Sequence, residues 1–254
     1  MILAIDVGNS NIVLGALRGD EILFEARMAT DHIKTSDQYC VEMKSLLELF
    51  GVHAAQIEGT ILSSVVPQLL NTLQTAVWKL TGKRCMTVGP GLKTGLNIRI
   101  DNPAQAGSDL VVAAVAAIRE YGAPLIVIDM GTATTITVID RNGSFIGGSI
   151  SPGVKISLAA LTGRTAQLPG INLEAPKHAI GRNTVDSMQS GVMFGAASML
   201  DGMIERMEAE LGYSATVVAT GGISRFIVPY CMREILVDKD LLLKGLKLIY
   251  EMNA

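Results

Sequence analysis

The chain has 254 residues, with 21 Lys and Arg against 24 Asp and Glu, a formal charge of -3, and 49% apolar residues. Disorder is excluded, and a chain of this size hides roughly 70–75% of its unfolded surface, enough to need neither a disulfide nor a structural metal. No long block of one sign occurs, only 4% of residues are aromatic and there is a single Trp, so a nucleic-acid partner is not expected.

Cys40, Cys85 and Cys231 are odd in number and far apart. They suit neither a disulfide framework nor a thiolate zinc site and read as reduced thiols of a cytoplasmic protein. Met1 to Ile5 meets Asp6 with no basic segment before it, unlike a signal peptide. The longest apolar run, Leu110 to Ile118, falls well short of the ~20 residues that span a bilayer, so no membrane partner is expected.

In chain order, an apolar strand ending at Asp6 leads through Asp6-x-Gly8-Asn9-Ser10-Asn11 into a second strand, with a further turn at Arg18-Gly19-Asp20. Asp37 to Leu49 has helical spacing, Thr60 to Val66 is a short β-branched strand, and Pro67 to Leu80 returns to the helical period. Leu110 to Glu120 reads as a buried Ala-rich helix, and Gly122-Ala123-Pro124 as a boundary. Ile126-Val127-Ile128-Asp129-Met130-Gly131-Thr132-Ala133-Thr134 then repeats the opening pattern, followed by a hairpin turn at Asp140-Arg141-Asn142-Gly143. Thr184 to Leu211 reads as a long helix interrupted between Gly191 and Gly195. Ala215 to Ala219 is a buried strand ending in Thr220-Gly221-Gly222, and a final helix covers Leu241 to Tyr250.

The echo of one strand-turn-strand motif at the head of two halves of similar size points to duplication of one α/β unit. The fold expected is α/β, a mixed sheet flanked by helices in each half, with the ligand cleft between the halves. The paired Asp-x-Gly turns have the parts of phosphate loops: glycine lets backbone N–H groups approach closely, hydroxyl and amide side chains add hydrogen bonds, and a carboxylate can hold a cation. Either turn alone could be an ordinary hairpin, whereas two in equivalent places favour a nucleotide. Neither a Rossmann Gly-x-Gly-x-x-Gly nor a P-loop Gly-x-x-x-x-Gly-Lys-Ser/Thr occurs in a usable context. Asp109 admits two readings that do not exclude each other, a cap for the following helix or a general base. His32, His53 and His178 are isolated, and Lys34 and Lys93 read as solvated.

Asp6 to Asn11, Asp101-Asn102-Pro103, Gly107-Ser108-Asp109, Ile128 to Thr134, Gly147 to Gly153, Asn183-Thr184, Ser187 to Gly191 and Thr220-Gly221-Gly222 together resemble the type III pantothenate kinases along the whole chain. The resemblance implies two ribonuclease-H-like halves of the actin, sugar kinase, Hsp70 and acetate kinase superfamily, residues 1–122 and 123–254, in a homodimer. It implies ATP-dependent phosphorylation of the pantothenate hydroxyl, the first step to coenzyme A, with Mg²⁺ and a monovalent cation, K⁺ or NH₄⁺. Asp6, Val7, Gly8, Asn9, Ser10, Asn11, Ile12, Val13, Thr132, Gly221 and Gly222 would then serve the nucleotide, and Asp6 and Asp129 the metals. Asp109 would be the base, and Ile100, Gly107, Ser108, Asp109, Leu110 and Thr184 would lie on the acceptor side.

Two positions depart from the family pattern: Leu110 stands where it has Arg, and Ile100 where it has Tyr. A charge-assisted bond from such an Arg to a carboxylate contributes roughly 1.5–3 kcal/mol, so weaker pantothenate binding is expected. Arg99 should point to the opposite face from Ile100 and should not substitute. A second reading is therefore left open, a divergent paralogue with another acceptor or with no kinase activity, acting as a nucleotide-binding regulator.

Overall fold

A computed structural model describes residues 1–254. The strands of the first half are β1 (Ile2–Val7), β2 (Asn11–Arg18), β3 (Glu21–Ala29), β4 (Gly59–Ser64) and β5 (Cys85–Thr87). They form one sheet in the order β3-β2-β1-β4-β5. The neighbours of β1 are antiparallel β2 and parallel β4, with β3 antiparallel to β2 and β5 parallel to β4. In the second half β6 (Asn97–Ile98), β7 (Leu125–Met130), β8 (Ala133–Ile139), β9 (Ser144–Pro152), β10 (Thr216–Thr220) and β11 (Leu236–Val237) are ordered β11-β10-β7-β8-β9-β6.

With β6 set aside, the second sheet repeats the first strand for strand and sense for sense. Each second strand is also irregular in register at the same place, at Ala16/Leu17 and at Val138/Ile139. The duplication expected from one short motif therefore extends through each sheet. Both sheets are mixed and flanked by helices, the α/β architecture that the sequence predicts for each half.

The helices are α1 (Ser36–Leu49), α2 (Leu70–Thr81), α3 (Ser108–Tyr121), α4 (Val154–Gly163), α5 (Thr184–Leu211), α6 (Ser224–Ile227) and α7 (Leu241–Glu251). Because side chains alternate along β1, Leu3, Ile5 and Val7 enter a core shared with Tyr39, Met43 and Leu47 of α1 and Leu73 and Val77 of α2. Ala4 faces the other way, toward Val112 and Val115 of α3 and Leu243, Leu246 and Ile249 of α7. Asp6 follows Ala4 on that second face. Thr35 begins α1 with a capping box to Gln38, which satisfies two backbone donors the helix leaves open.

Four features differ from the sequence reading. Glycine costs a helix about 1 kcal/mol per residue, yet α5 runs unbroken through Gly191 and Gly195, held by Met188, Met193, Ala197, Leu200 and Ile204 in the core. The chain does not part at residue 122: one compact unit comprises 1–96, 102–116 and 240–254, the other 97–101 and 117–239. The amphipathic α7 rejoins the first unit because its apolar face completes the core over Ala4 and Ile61, and its Lys247 Nζ pairs with Asp20 at 2.7 Å and Glu251 at 3.2 Å. Lys34, expected to be solvated, pairs with Glu42 at 2.7 Å. Finally, the short β5, β6 and α4 lacked enough periodicity to be read.

All three cysteines are free. No helix is long and apolar enough to cross a membrane. The seating of α7 is testable, since a Cβ on Gly245 would overlap the Val112 backbone of α3. Gly245→Ala should lower stability by about 1–3 kcal/mol in urea melts. Gly163→Ala, where a Cβ meets nothing within 4 Å, should be neutral or slightly stabilising.

Candidate active site

In the first unit three chain segments end together. Asp6 closes β1 and is only 7% exposed; its partner across the parallel pair is Ser63 of β4, fully buried. The Ser63 hydroxyl donates to Asp6 Oδ1 at 2.5 Å. One residue further, Ser64 meets the start of α3: the Ser108 hydroxyl accepts from the Ser64 N–H at 3.2 Å and donates to its carbonyl at 3.1 Å. Beyond Leu62 the β4 edge has no further β5 residue to pair with, so a side chain takes the place of a strand and fixes where α3 begins. Asp109 follows directly.

Asp109 lies in the first turn of α3, inside the helix. The expectation that it caps the helix from outside is thus corrected by two positions, Gly107 preceding the first helical residue. Its Oδ1 accepts from the Leu110 N–H at 2.8 Å. A Cβ on Gly107 would lie 2.5 Å from that same oxygen, so a side chain there would push the Asp109 carboxylate aside.

Burial disfavours a charged carboxylate. It lifts Asp6 from 3.8 to about 6; the Ser63 hydrogen bond opposes the rise and the nearby Asp109 charge adds to it. Burial also raises Asp109, opposed by backbone hydrogen bonds including that from Leu110. The Asp6 carboxyl therefore holds its proton to higher pH than an exposed aspartate does.

Beside Asp6, the Gly8 N–H donates to the Asn11 carbonyl at 3.0 Å. Thr30 at the end of β3 holds the loop twice, through its hydroxyl to the Gly8 carbonyl at 2.7 Å and its N–H to the Ser10 carbonyl at 3.1 Å. Asn9, Ser10 and Asn11 are exposed and Val13 is half-buried, whereas the Val7 and Ile12 side chains are fully buried in the core. The latter two can offer a ligand only backbone atoms.

In the second unit Asp129 ends β7 opposite Thr135 of β8 and Thr220 of β10. Gly221 has φ +87°, and a Cβ there would lie 2.5 Å from Asp129 Oδ1 and 2.7 Å from the Met130 backbone. Only glycine allows both that backbone conformation and that approach. Ser224 Oγ donates to the Gly221 carbonyl at 2.7 Å; Gly222 is exposed. The β7–β8 turn is one residue shorter than its counterpart: Gly131 N–H donates to Ala133, two residues on, and the Thr132 carbonyl accepts from Gly153.

Ile100 is half-buried just past β6, while Arg99 is exposed, and its charge holds the Asp140 carboxyl down after the hydrogen bonds from Ser144 and Asn142. Thr184 opens α5 on the wall of a cavity of about 1010 Å³. Sequence reasoning missed Ser63, Ser64 and Thr30, and that cavity. Two hydroxyls ending an otherwise apolar strand were the only signal for the serines, and Thr30 left none.

A family model described as type III pantothenate kinase matches residues 2–206. Proteins named type III pantothenate kinase from Brevibacillus brevis and Moorella thermoacetica are 46% and 44% identical, covering 100% of this chain and 99% and 100% of theirs. The Exiguobacterium sp. protein of that name is 47% identical over 253 residues, 100% of this chain and 99% of its own. Among solved structures, component A of the (R)-2-hydroxyglutaryl-CoA dehydratase of Acidaminococcus fermentans superposes with TM-score 0.60 at 17% identity, covering 100% of this chain and 96% of its own. The ethanolamine utilization protein EutJ of Carboxydothermus hydrogenoformans gives TM-score 0.52 at 17% identity, covering 97% and 89%.

The raised Asp6 carboxyl has a cost in the unliganded protein. A folded-state pKa above the unfolded value means the native state binds the proton more tightly, so stability falls as pH rises from 3.8 to about 6. Asp6→Asn removes that cost. It should raise unliganded stability by up to about 3 kcal/mol at about pH 7.5 and have little effect near pH 4, as read in urea melts at both values.

Proposed function

Because the chain belongs to the type III pantothenate kinase family, we propose that it transfers the γ-phosphoryl group of ATP to the hydroxyl of pantothenate, the first step toward coenzyme A. The observation that carries this reading is full-length identity of 44–47% to proteins of that name. The junction of β1, β4 and α3 supports it by bringing a buried carboxylate, an open loop and a second carboxylate into one unit.

Phosphoryl transfer needs positioning and charge neutralisation more than covalent help from the protein. The Asp109 carboxylate takes the hydroxyl proton as the alcohol oxygen bonds to the γ-phosphorus and the bond to the β–γ bridging oxygen breaks, releasing ADP. Burial raises the basicity of Asp109, which suits a general base. Gly107 leaves room for its carboxylate, and Ser108 fixes its height relative to Asp6. The Gly8–Asn11 loop receives phosphate oxygens, and Thr132, Gly221 and Gly222 serve the nucleotide.

No group of three His, Cys, Asp or Glu side chains gathers to hold a metal. That suits Mg²⁺, which is commonly held by one or two carboxylates with substrate phosphates and water. Asp6 would hold it, and when bound it neutralises phosphate charge. Asp129 would hold the monovalent cation, its carboxylate set against the Gly221 backbone.

The acceptor is a small molecule, not nucleic acid or membrane, and free thiols with an ATP-coupled reaction suit the cytoplasm. The active form is a homodimer, for which the 75% exposed Ile150 and 83% exposed Ile180 offer apolar surface to a second copy.

With ATP, Mg²⁺ and K⁺ or NH₄⁺, the purified protein should form phosphopantothenate, detected by mass spectrometry. Asp109→Asn should lower kcat by about 10²- to 10⁴-fold with ATP affinity unchanged. Absence of product from the wild-type protein, or full activity in Asp109→Asn, would refute the assignment.

A further inference from the structure

Thr30, directly after β3, grips the Gly8–Asn11 turn through two atoms: its hydroxyl donates to the Gly8 carbonyl at 2.7 Å and its N–H to the Ser10 carbonyl at 3.1 Å. A trans peptide sets N–H opposite C=O. Fixing these two carbonyls toward Thr30 therefore turns the Asn9 and Asn11 N–H groups away from it. The Gly8 N–H donates to the Asn11 carbonyl at 3.0 Å, and an ordinary two-residue hairpin turn would add the return bond, from the Asn11 N–H to the Gly8 carbonyl. That return bond is not made. The Thr30 hydroxyl holds the carbonyl instead. Bonded positions alternate along an antiparallel pair, so with Ser10 bonded to Thr30 the Asn11 N–H does not reach across to Ala29 either.

The second sheet supplies an internal comparison. Beyond the pair Asn11–Ala29 come Ser10 and Thr30; beyond the equivalent pair Ala133–Pro152 come Thr132 and Gly153. The Gly153 N–H donates to the Thr132 carbonyl at 3.0 Å, as that of Thr30 does to Ser10. Gly153 brings no hydroxyl, and a Cβ there would overlap the Gly131 and Thr132 carbonyl oxygens. One copy of the turn is thus held by a side chain, whereas the other has no room for one. We propose that Thr30 is a positioning residue for phosphate: by holding the Gly8 carbonyl it keeps the Asn11 N–H open to donate to a phosphate oxygen, so that the backbone of this turn receives the anion. The inference rests on the nucleotide role proposed for the Gly8–Asn11 loop and adds to it a residue from outside that loop.

Backbone amide exchange, read by NMR on the whole protein, tests this without turnover. In the wild-type protein the Asn11 amide should exchange quickly when unliganded and slowly with ATP and Mg²⁺. Thr30→Val keeps the side-chain shape and the backbone bond to Ser10 but removes the hydroxyl. The released Gly8 carbonyl should then accept the Asn11 N–H, protecting that amide before any nucleotide is added. By calorimetry, Thr30→Val should weaken ATP binding about 3- to 10-fold and leave adenosine binding unchanged, with Thr30→Ser close to the wild type. The wild-type exchange measurement does not depend on how well the variant folds. An Asn11 amide already protected in the unliganded wild type, equal loss of ATP and adenosine binding in Thr30→Val, or no loss of either, would overturn the proposal. Thr30-dependent ATP binding with no phosphopantothenate formed would support it while overturning the kinase reading. Phosphopantothenate formation with ATP affinity unchanged in Thr30→Val would overturn it and leave the kinase reading standing.

Discussion

A carboxylate at the end of a buried strand is costly to ionise, and the first unit is arranged around that cost. Parallel pairing of β1 with β4 sets Ser63 opposite Asp6. A single hydroxyl then shares the carboxylate without satisfying it, and the Asp109 charge keeps it raised. Hydrophobic packing would be served better by an apolar residue here. An acid at this place fits the role proposed for Asp6 toward a cation and phosphate.

The same alternation of side chains that buries Leu3, Ile5 and Val7 against α1 and α2 turns Asp6 to the opposite face, where α3 starts. The Ser108–Ser64 hydrogen bonds prolong the sheet ladder through a side chain and so set the height of Asp109. Fold and chemistry are linked through backbone register: a one-residue slip that set Leu62 opposite Asp6 would put an apolar side chain in place of the Ser63 hydroxyl. On the second sheet the corresponding register sets Thr220 opposite Asp129, and the left-handed Gly221 brings backbone against its carboxylate. The two copies thus use one scaffold for different carboxylate environments, one buried beside a serine and one half-buried beside a glycine.

Much of this was legible in the sequence because strand-turn-strand motifs are local. The echo of Asp6-x-Gly8 in Asp129-x-Gly131 announced the duplication, and the helices α1, α2 and α3 followed from periodicity within three residues of each end. What was illegible depends on contacts distant in sequence. Ser63 and Ser64 are ordinary strand residues until β1 and α3 come against them, and no periodicity announces that α7 completes the first unit. Local propensity even misled at Gly191 and Gly195, where burial of one helix face outweighs the backbone entropy of glycine.

The central claim is physical: burial, with the nearby Asp109 charge, raises the Asp6 carboxyl well above the ordinary carboxylate range. Carbon-13 NMR titration of the aspartate carboxyls, with Asp6 assigned through Asp6→Asn, measures this directly. The account predicts a midpoint of about 6 in the unliganded protein and a fall toward the ordinary carboxylate range when Mg²⁺ and a non-hydrolysable ATP analogue are added. A midpoint near 3.8 that ignores both additions would contradict it.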